Sequence, residues 1–189
     1  MHNNEANSVN ALGFLTVLDH PEHGLFGGYL VLNTFGRPLE FHCTAPIKAN
    51  RAQQILYGPT LESFLYGEQI GSTLLGKAAT KPSFVCTDHV AALAVREHVS
   101  LPVVLVLGAP DAPKAEQGDQ QLRLDSGHGN GPRLAHFQLG DNRLAVAKGS
   151  AEDQQRIIEH FEKLDESFDL AEPFTRIRAA IEEARQAVR

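Results

Sequence analysis

Leu12-Gly13-Phe14-Leu15-Thr16-Val17-Leu18-Asp19 opens the stretch on which the fold turns. It continues through Gly27-Gly28-Tyr29-Leu30-Val31-Leu32-Asn33 and Leu39-Glu40-Phe41-His42-Cys43-Thr44, then passes into a helical pattern at Ala49. Residues 12–18 read as a strand closed by Asp19, and the Pro- and Gly-bearing residues 19–24 read as a loop. Residues 28–33 are almost continuously apolar, which predicts a strand buried on both faces. Residues 39–44 alternate instead, with Leu39, Phe41 and Cys43 on one face and Glu40, His42 and Thr44 on the other. The short link carrying Gly36 makes these two an antiparallel hairpin. Pro38, which has no amide donor, belongs at the start of its strand.

Outward from that nucleus, Ile55, Leu56, Leu61, Phe64, Leu65, Ile70, Leu74 and Leu75 recur at the spacing of one helical face. Gly58-Pro59 interrupts them, so two helices or one sharply kinked helix are expected, the second running from Pro59 to about Gly76. Residues 83–87, 89–98 and 103–107 read as strand, helix and strand, the signature of a parallel pair. Residues 109–132 break the regularity with Pro, Gly, Gln and Asp, within which Leu122-Arg123-Leu124 reads as a short edge strand. A second hairpin follows around Gly140-Asp141-Asn142. Two C-terminal helices close the chain, the first with a capping arrangement of Ser150 and Asp153, the second with Pro173 near its start. Their apolar positions (Ile157, Phe161, Leu164 and Phe168; Phe174, Ile177, Ile181, Ala184 and Val188) form narrow seams. Such seams suit either a helical hairpin or a partner.

Composition bounds the function. The 189 residues suffice for a substantial core, and 42% hydrophobic with 21% charged residues is ordinary for a globular protein. A formal charge of −6 disfavours non-specific binding to nucleic acid, although a local basic groove is compatible with it. Cys43 and Cys86 are the two cysteines, each in an apolar strand pattern, which excludes a disulfide framework. The polar N-terminal residues lack the order of a signal peptide, and no apolar run is long enough to span a membrane. A reduced, cytoplasmic setting is the expectation.

Three antiparallel strands, a helical segment, then strand, helix and strand is an order that resembles the ribonuclease H-like fold. Short residue groups carry the resemblance over residues 12–108. Asp19 precedes Gly27-Gly28-Tyr29 as a catalytic Asp precedes the Gly-Gly-aromatic opening of the second strand in that family, and Thr87-Asp88 stands where the family has a second Asp after its fourth strand. The departure lies at Asn50-Arg51-Ala52-Gln53, where an amide replaces the family's catalytic Glu. The resemblance implies Asp19 and Asp88 as catalytic residues and as ligands of Mg or Mn. A third carboxylate would come from Glu40, Glu62, Glu68 or Asp125.

Three further groups merit weighing. Asp19, His20, Glu22 and His23 are dense in potential metal ligands, imidazoles His20 and His23 above all. A solvated turn is the simpler account of them. Cys86 lies near Asp88 and His89, but side chains alternate along a strand and hinder direct activation of the thiol. Asp125-Ser126-Gly127-His128-Gly129 sits in the irregular segment, where an ordinary loop is the simpler account.

The sequence therefore predicts an α/β protein: a mixed sheet of three N-terminal antiparallel strands, a helical segment and a parallel β-α-β unit, with a C-terminal helical hairpin. Its parts are a disordered arm (1–11), an α/β domain (12–148, with a flexible loop at 109–132) and the helical hairpin (149–189), packed on the domain or on a partner, including a second copy through residues 150–189. The favoured function is a non-catalytic ribonuclease H-like interaction module. The alternative is a divalent-metal-dependent phosphodiesterase or nuclease using Asp19 and Asp88.

Overall fold

The computed structural model describes residues 10–108, 133–164 and 168–187. Residues 1–9 of the expected arm (1–11), the segment 109–132 with its edge strand at 122–124 and Asp125, and Val188 lie outside the described residues, while Ala11, expected in the arm, is buried and opens the first strand. Among the described residues seven strands form one sheet: β1 (Ala11–His20), β2 (Gly24–Asn33), β3 (Pro38–Cys43), β4 (Phe84–Thr87), β5 (Val103–Leu107), β6 (Leu134–Leu139) and β7 (Asn142–Ala147). Their order is β3-β2-β1-β4-β5-β7-β6. β1 is antiparallel to β2 and parallel to β4, β4 is parallel to β5, and the β6–β7 hairpin adds antiparallel to β5. The first five strands thus have the ribonuclease H-like topology, extended by a hairpin.

The first two strands are longer than their hydrophobic pattern suggests. Asp19 and His20 stay in β1, and β2 begins at Gly24, so the loop expected at 19–24 shrinks to the tip of a hairpin paired through His20↔Gly24. Backbone hydrogen bonding continues past the point where burial ends, and Gly24 at φ 92° supplies the turn conformation that other residues resist.

Helices cover both faces. One layer holds the helical run at 58–77 and the 3₁₀ crossover helix Val90–Glu97, packed with Leu15, Val17, Tyr29 and Val85. The break at Gly58-Pro59 falls where expected, after an entry helix Arg51–Tyr57 that buries none of its side chains. Beyond it the backbone is wound as a π-helix over Phe64–Ser72 before regaining α geometry at Thr73–Lys77. The opposite layer is the C-terminal pair, Ala151–Phe161 and Glu172–Ala187, whose seam residues Ile157, Phe161, Phe174, Ile177 and Ile181 are buried with Leu12, Phe14, Phe84 and Cys86. These five of the seam residues that sequence offers to a second copy or a partner are occupied by this chain's own sheet, while Ala184 is exposed. The cap expected from Ser150 does not form. Its side chain makes no capping bond, and Asp153 is drawn instead into an ion pair with Arg96.

Gly27 and Gly28 set how closely the layers approach. A Cβ at Gly27 would lie 2.2 Å from Ile70 Cγ2, and one at Gly28 would lie 2.3 Å from Ile177 Cγ2 on the other face. Successive residues of a strand face opposite ways, so this pair of glycines seats one helix on each side of β2.

Candidate functional site at the C-terminal edge of the parallel strands

In open α/β sheets, ligands gather beyond the carboxyl ends of parallel strands. Here β4 is only four residues long and wholly buried, so the chain leaves the sheet at Asp88. The β1–β4 register runs from Leu12↔Phe84 to Leu15↔Thr87, and its next step sets Thr16 beside Asp88. Phe14 and Cys86 belong to the cluster under the C-terminal helices, so alternation turns Thr16 and Asp88 toward that layer too.

From that layer Arg178 reaches down and donates from Nη2 to Asp88 Oδ2. The Asp88 side chain is 2% exposed and that of Arg178 17%. The remaining carboxylate oxygen, Asp88 Oδ1, is buried and accepts no hydrogen bond among the described residues, and Thr16 Oγ1 is in the same condition. Asp88 does not cap the crossover helix that follows it. That helix begins at Val90 behind His89, with no side-chain cap.

On the other side of the edge, His89 is 6% exposed. Its ring packs 4.4 Å from that of Tyr66, and its Nε2 faces Glu62 Oε1 at 3.9 Å. The His89 amide donates to Thr87 Oγ1 at 3.3 Å.

Asp19 is not brought to this cluster. It lies three residues past Thr16, about 10 Å along the strand, and the odd interval places it on the opposite face. It is exposed and pairs with Leu25 in the hairpin. His20 and His23 sit at the hairpin tip with their rings stacked at 4.7 Å. His20 Nδ1 is placed to accept from the amides of Glu22 and His23, and its Nε2 lies 2.9 Å from Arg185 Nη2. A neutral imidazole has one acceptor nitrogen, so either arrangement engages the lone pair a metal would need. Among the described residues no three His, Cys, Asp or Glu side chains come together as a metal-binding group.

The other sequence candidates are occupied elsewhere. Gln53, the amide at the family's Glu position, accepts from the Asn50 amide at 3.0 Å while Asn50 Oδ1 accepts from Gln53 N at 2.8 Å, a reciprocal cap on the entry helix. Cys86 is fully buried, and desolvation pushes its thiol well above the ordinary range, which opposes formation of a nucleophilic thiolate. Glu40 lies at the opposite edge of the sheet. Its carboxylate accepts from the Thr80 hydroxyl and amide, from the Ala79 amide at 3.0 Å and from His42 Nε2 at 3.1 Å, tying edge strand β3 to the approach to β4.

These donors, the Thr80 hydroxyl first and His42 next, hold the Glu40 carboxyl down at about 2. A folded-state value below the unfolded one contributes stability that is present above about 4.5 and lost as pH falls through about 2. Glu40→Gln should therefore unfold more easily than the natural chain at neutral pH, with the gap closing on acidification. Urea midpoints measured from pH 7 to pH 2 check this, and a gap independent of pH would contradict it.

Two groups escape a reading of sequence alone. Arg178 stands 90 residues from its partner, so only the folded sheet joins them. Thr16 gave a local signal, a polar residue inside the otherwise apolar run from Ala11 to Leu18.

The fold class defined by these strands is ribonuclease H-like, with its candidate site at the Asp88 edge. No family model matches the chain, and no curated protein sequence does. Among solved structures it is similar to human endonuclease V at 14% identity and a TM-score of 0.45, covering 97% of this chain and 87% of that one. It is also similar to the catalytic domain of the human enzyme (15%, TM-score 0.46, 97% and 84%). A third is Ciona intestinalis endonuclease V in complex with a DNA containing an inosine followed by a ribo-adenosine (13%, TM-score 0.46, 95% and 89%). Among the described residues no helix is long and apolar enough to cross a membrane.

Proposed function

We propose that this chain is a divalent-metal-dependent phosphodiesterase of ribonuclease H-like fold, working at the Asp88 edge on nucleic acid. The observation that carries the reading is Asp88 Oδ1, a buried carboxylate oxygen without a hydrogen bond among the described residues, with Thr16 Oγ1 likewise unpaired beside it. Leaving a buried acceptor unpaired costs on the order of 1–3 kcal/mol, more for a charged group, and a hard cation relieves that cost. Magnesium is commonly held by one or two carboxylates together with water and substrate phosphates, so Asp88 serves as its anchor without a protein cage. Held there by Asp88, Mg or Mn would supply polarisation of a phosphoryl oxygen and acidification of a water. The chain's own part is positional. Asp88 binds, Arg178 sets a fixed positive charge beside it, and Tyr66 and Glu62 hold the His89 ring with Nε2 toward the Glu62 carboxylate. Asp19, His20 and His23 enter this reading as an overhanging hairpin rather than as ligands of the same ion.

A second reading, the non-catalytic interaction module, draws on Gln53, whose amide is spent in a helix cap at the family's carboxylate position. Thermal unfolding with increasing Mg or Mn separates the two. Saturation at a hundred times Kd stabilises by about 2.7 kcal/mol, roughly 5–10 °C for a chain of this size. The shift should vanish in Asp88→Asn, and cleavage of oligonucleotides should vanish with it. A chain indifferent to both metals, or an equal shift in Asp88→Asn, returns the module reading.

A further inference from the structure

We propose that the free edge of β3 is a self-association surface. A second copy of this chain pairs its own β3 there, antiparallel, and continues the sheet across a two-fold axis at Phe41. The surface is separate from the Asp88 edge, since β2 and β1 lie between β3 and β4.

The need for a cover comes from the side chains. Phe35, Leu39 and Phe41 are large hydrophobics left exposed, at 87%, 42% and 39%, and all three lie on β3 or in the turn that leads into it. Leu30, the neighbour of Phe41 on β2, is buried under the C-terminal layer, so that layer ends before it covers the edge strand. The opposite edge differs: on β6, Phe137 and Leu139 are partly buried against the same layer. Pro38 and a register shift beside Val31 and Leu32 blunt the start of β3, but Glu40 to Cys43 run in regular register. Glu40, the charge that would guard the edge, is bound instead to the amides of Ala79 and Thr80 in its own chain. An apolar edge left in this state is the surface on which another strand adds.

Backbone and charge together select a second copy as the occupant. The Thr44 amide donates to Gly27 O at 3.0 Å, so by alternation Thr44, His42 and Glu40 spend their backbone groups on β2, while Cys43 and Phe41 aim theirs outward. Outward groups must meet outward groups, which leaves few symmetric registers. An axis at Glu40 sets that carboxylate against its own counterpart, and an axis at His42 does the same for the imidazoles. An axis nearer either end shortens the shared ladder. An axis at Phe41 sets Glu40 opposite His42 of the second copy on one face, and Phe41 opposite Phe41 on the other. Phe35 completes the fit. Its turn is braced, because Asn33 Oδ1 accepts from the Phe35 amide at 3.0 Å and the Arg37 amide at 2.9 Å, and Arg176 Nη1 donates to Gly36 O at 3.0 Å. The ring is thus presented already ordered, upstream of the axis, where it comes to the exposed Ala45-Pro46 stretch of the second copy.

The test is sedimentation equilibrium of the full chain over a concentration series. The natural chain should move from 20.6 kDa to twice that mass. Phe41→Lys, which brings two like charges together at the axis, should stay monomeric over the same series. Phe35→Ser should weaken association about tenfold, the scale of a large aromatic contact at an interface. Leu56→Lys, at an exposed apolar residue of the entry helix, should leave association unchanged. Register is read from a nitroxide on Cys43, which is exposed while Cys86 is buried. An axis at Phe41 puts the two labelled Cα atoms about 15 Å apart, four strand steps along and one across, so dipolar broadening should appear and vanish on dilution. The natural chain's mass and its label keep the test decisive should Phe41→Lys fold poorly. A chain that stays monomeric overturns the proposal and leaves the edge to an extended segment of another protein. A dimer that persists in Phe41→Lys, or one whose label shows no broadening, overturns it too, and a dimer lost in Leu56→Lys alone moves the contact to the entry helix.

Discussion

Arg96→Met should lower stability by about 2–4 kcal/mol, somewhat less than the cost of stranding one member of a fully buried ion pair, because the Arg96 side chain is 33% exposed. Arg96 Nε meets Asp153 Oδ2 at 2.6 Å and Nη2 meets Oδ1 at 3.1 Å, while Nη1 donates to Val99 O at 2.9 Å. The Asp153 side chain is 1% exposed, so its carboxylate would be left with only what water enters from the exposed side of Arg96. The pair's position explains the size of the effect. Arg96 ends the crossover helix on one face of the sheet, and Asp153 begins a C-terminal helix on the other, so the bond wraps around the edge where β5 starts and β7 ends. For a chain this long the expected fall in Tm is about 10 °C. Adding Asp153→Leu to Arg96→Met should recover most of the loss, because a well-packed apolar pair often equals a buried ionic one. A single-variant loss below about 1 kcal/mol would show that the pair is a solvated contact and not a clamp.

The second large effect belongs to Gly28. Its missing Cβ would stand 2.3 Å from Ile177 Cγ2 and 2.8 Å from Ile181 Cδ1, and both isoleucines are buried, at 0% and 2% exposure. Valine there must push the final helix off the sheet. Overpacking of this kind costs about 1–3 kcal/mol and occasionally more, against the roughly 0.5–1 kcal/mol regained by removing a glycine from a strand. We expect Gly28→Val to lose about 3 kcal/mol in urea unfolding, with accelerated amide exchange along 172–187. Gly76→Ala is the matching control. Nothing lies within 4 Å of its Cβ position, so it should be neutral or gain about 0.4–1 kcal/mol. Equal behaviour of the two variants would remove the close approach from the account of this fold.

Strand order was legible because it follows from local signals: alternation in β3, continuous apolarity in β2, and a helix-bearing connection from Thr87 to Val103 long enough for the crossover that a parallel pair needs. Lengths were less legible. β1 runs on through Asp19 and His20 because backbone pairing does not stop where side-chain burial does. The π winding of Phe64–Ser72 leaves no periodic trace distinct from an α-helix over nine residues. Asp88 could be found from the end of its strand, but its meaning could not. That depends on Arg178, and on a β1–β4 register which puts Thr16 where the sequence suggests Asp19. Ser150 misled for a similar reason, since a local capping pattern yields to a buried tertiary ion pair that uses Asp153.

The central place of β1 has a consequence for synthesis. β1, β2 and β3 form a contiguous meander that can assemble as soon as it emerges, but the second side of β1 is satisfied only by β4, which starts at Phe84. At ribosomal rates of about 5–20 residues per second, the roughly 70 residues between the start of β1 and β4 keep that side unpaired for roughly 4–14 s. For that interval the nascent chain carries a bare, strongly apolar β-edge, the kind of surface on which chains aggregate and chaperones act.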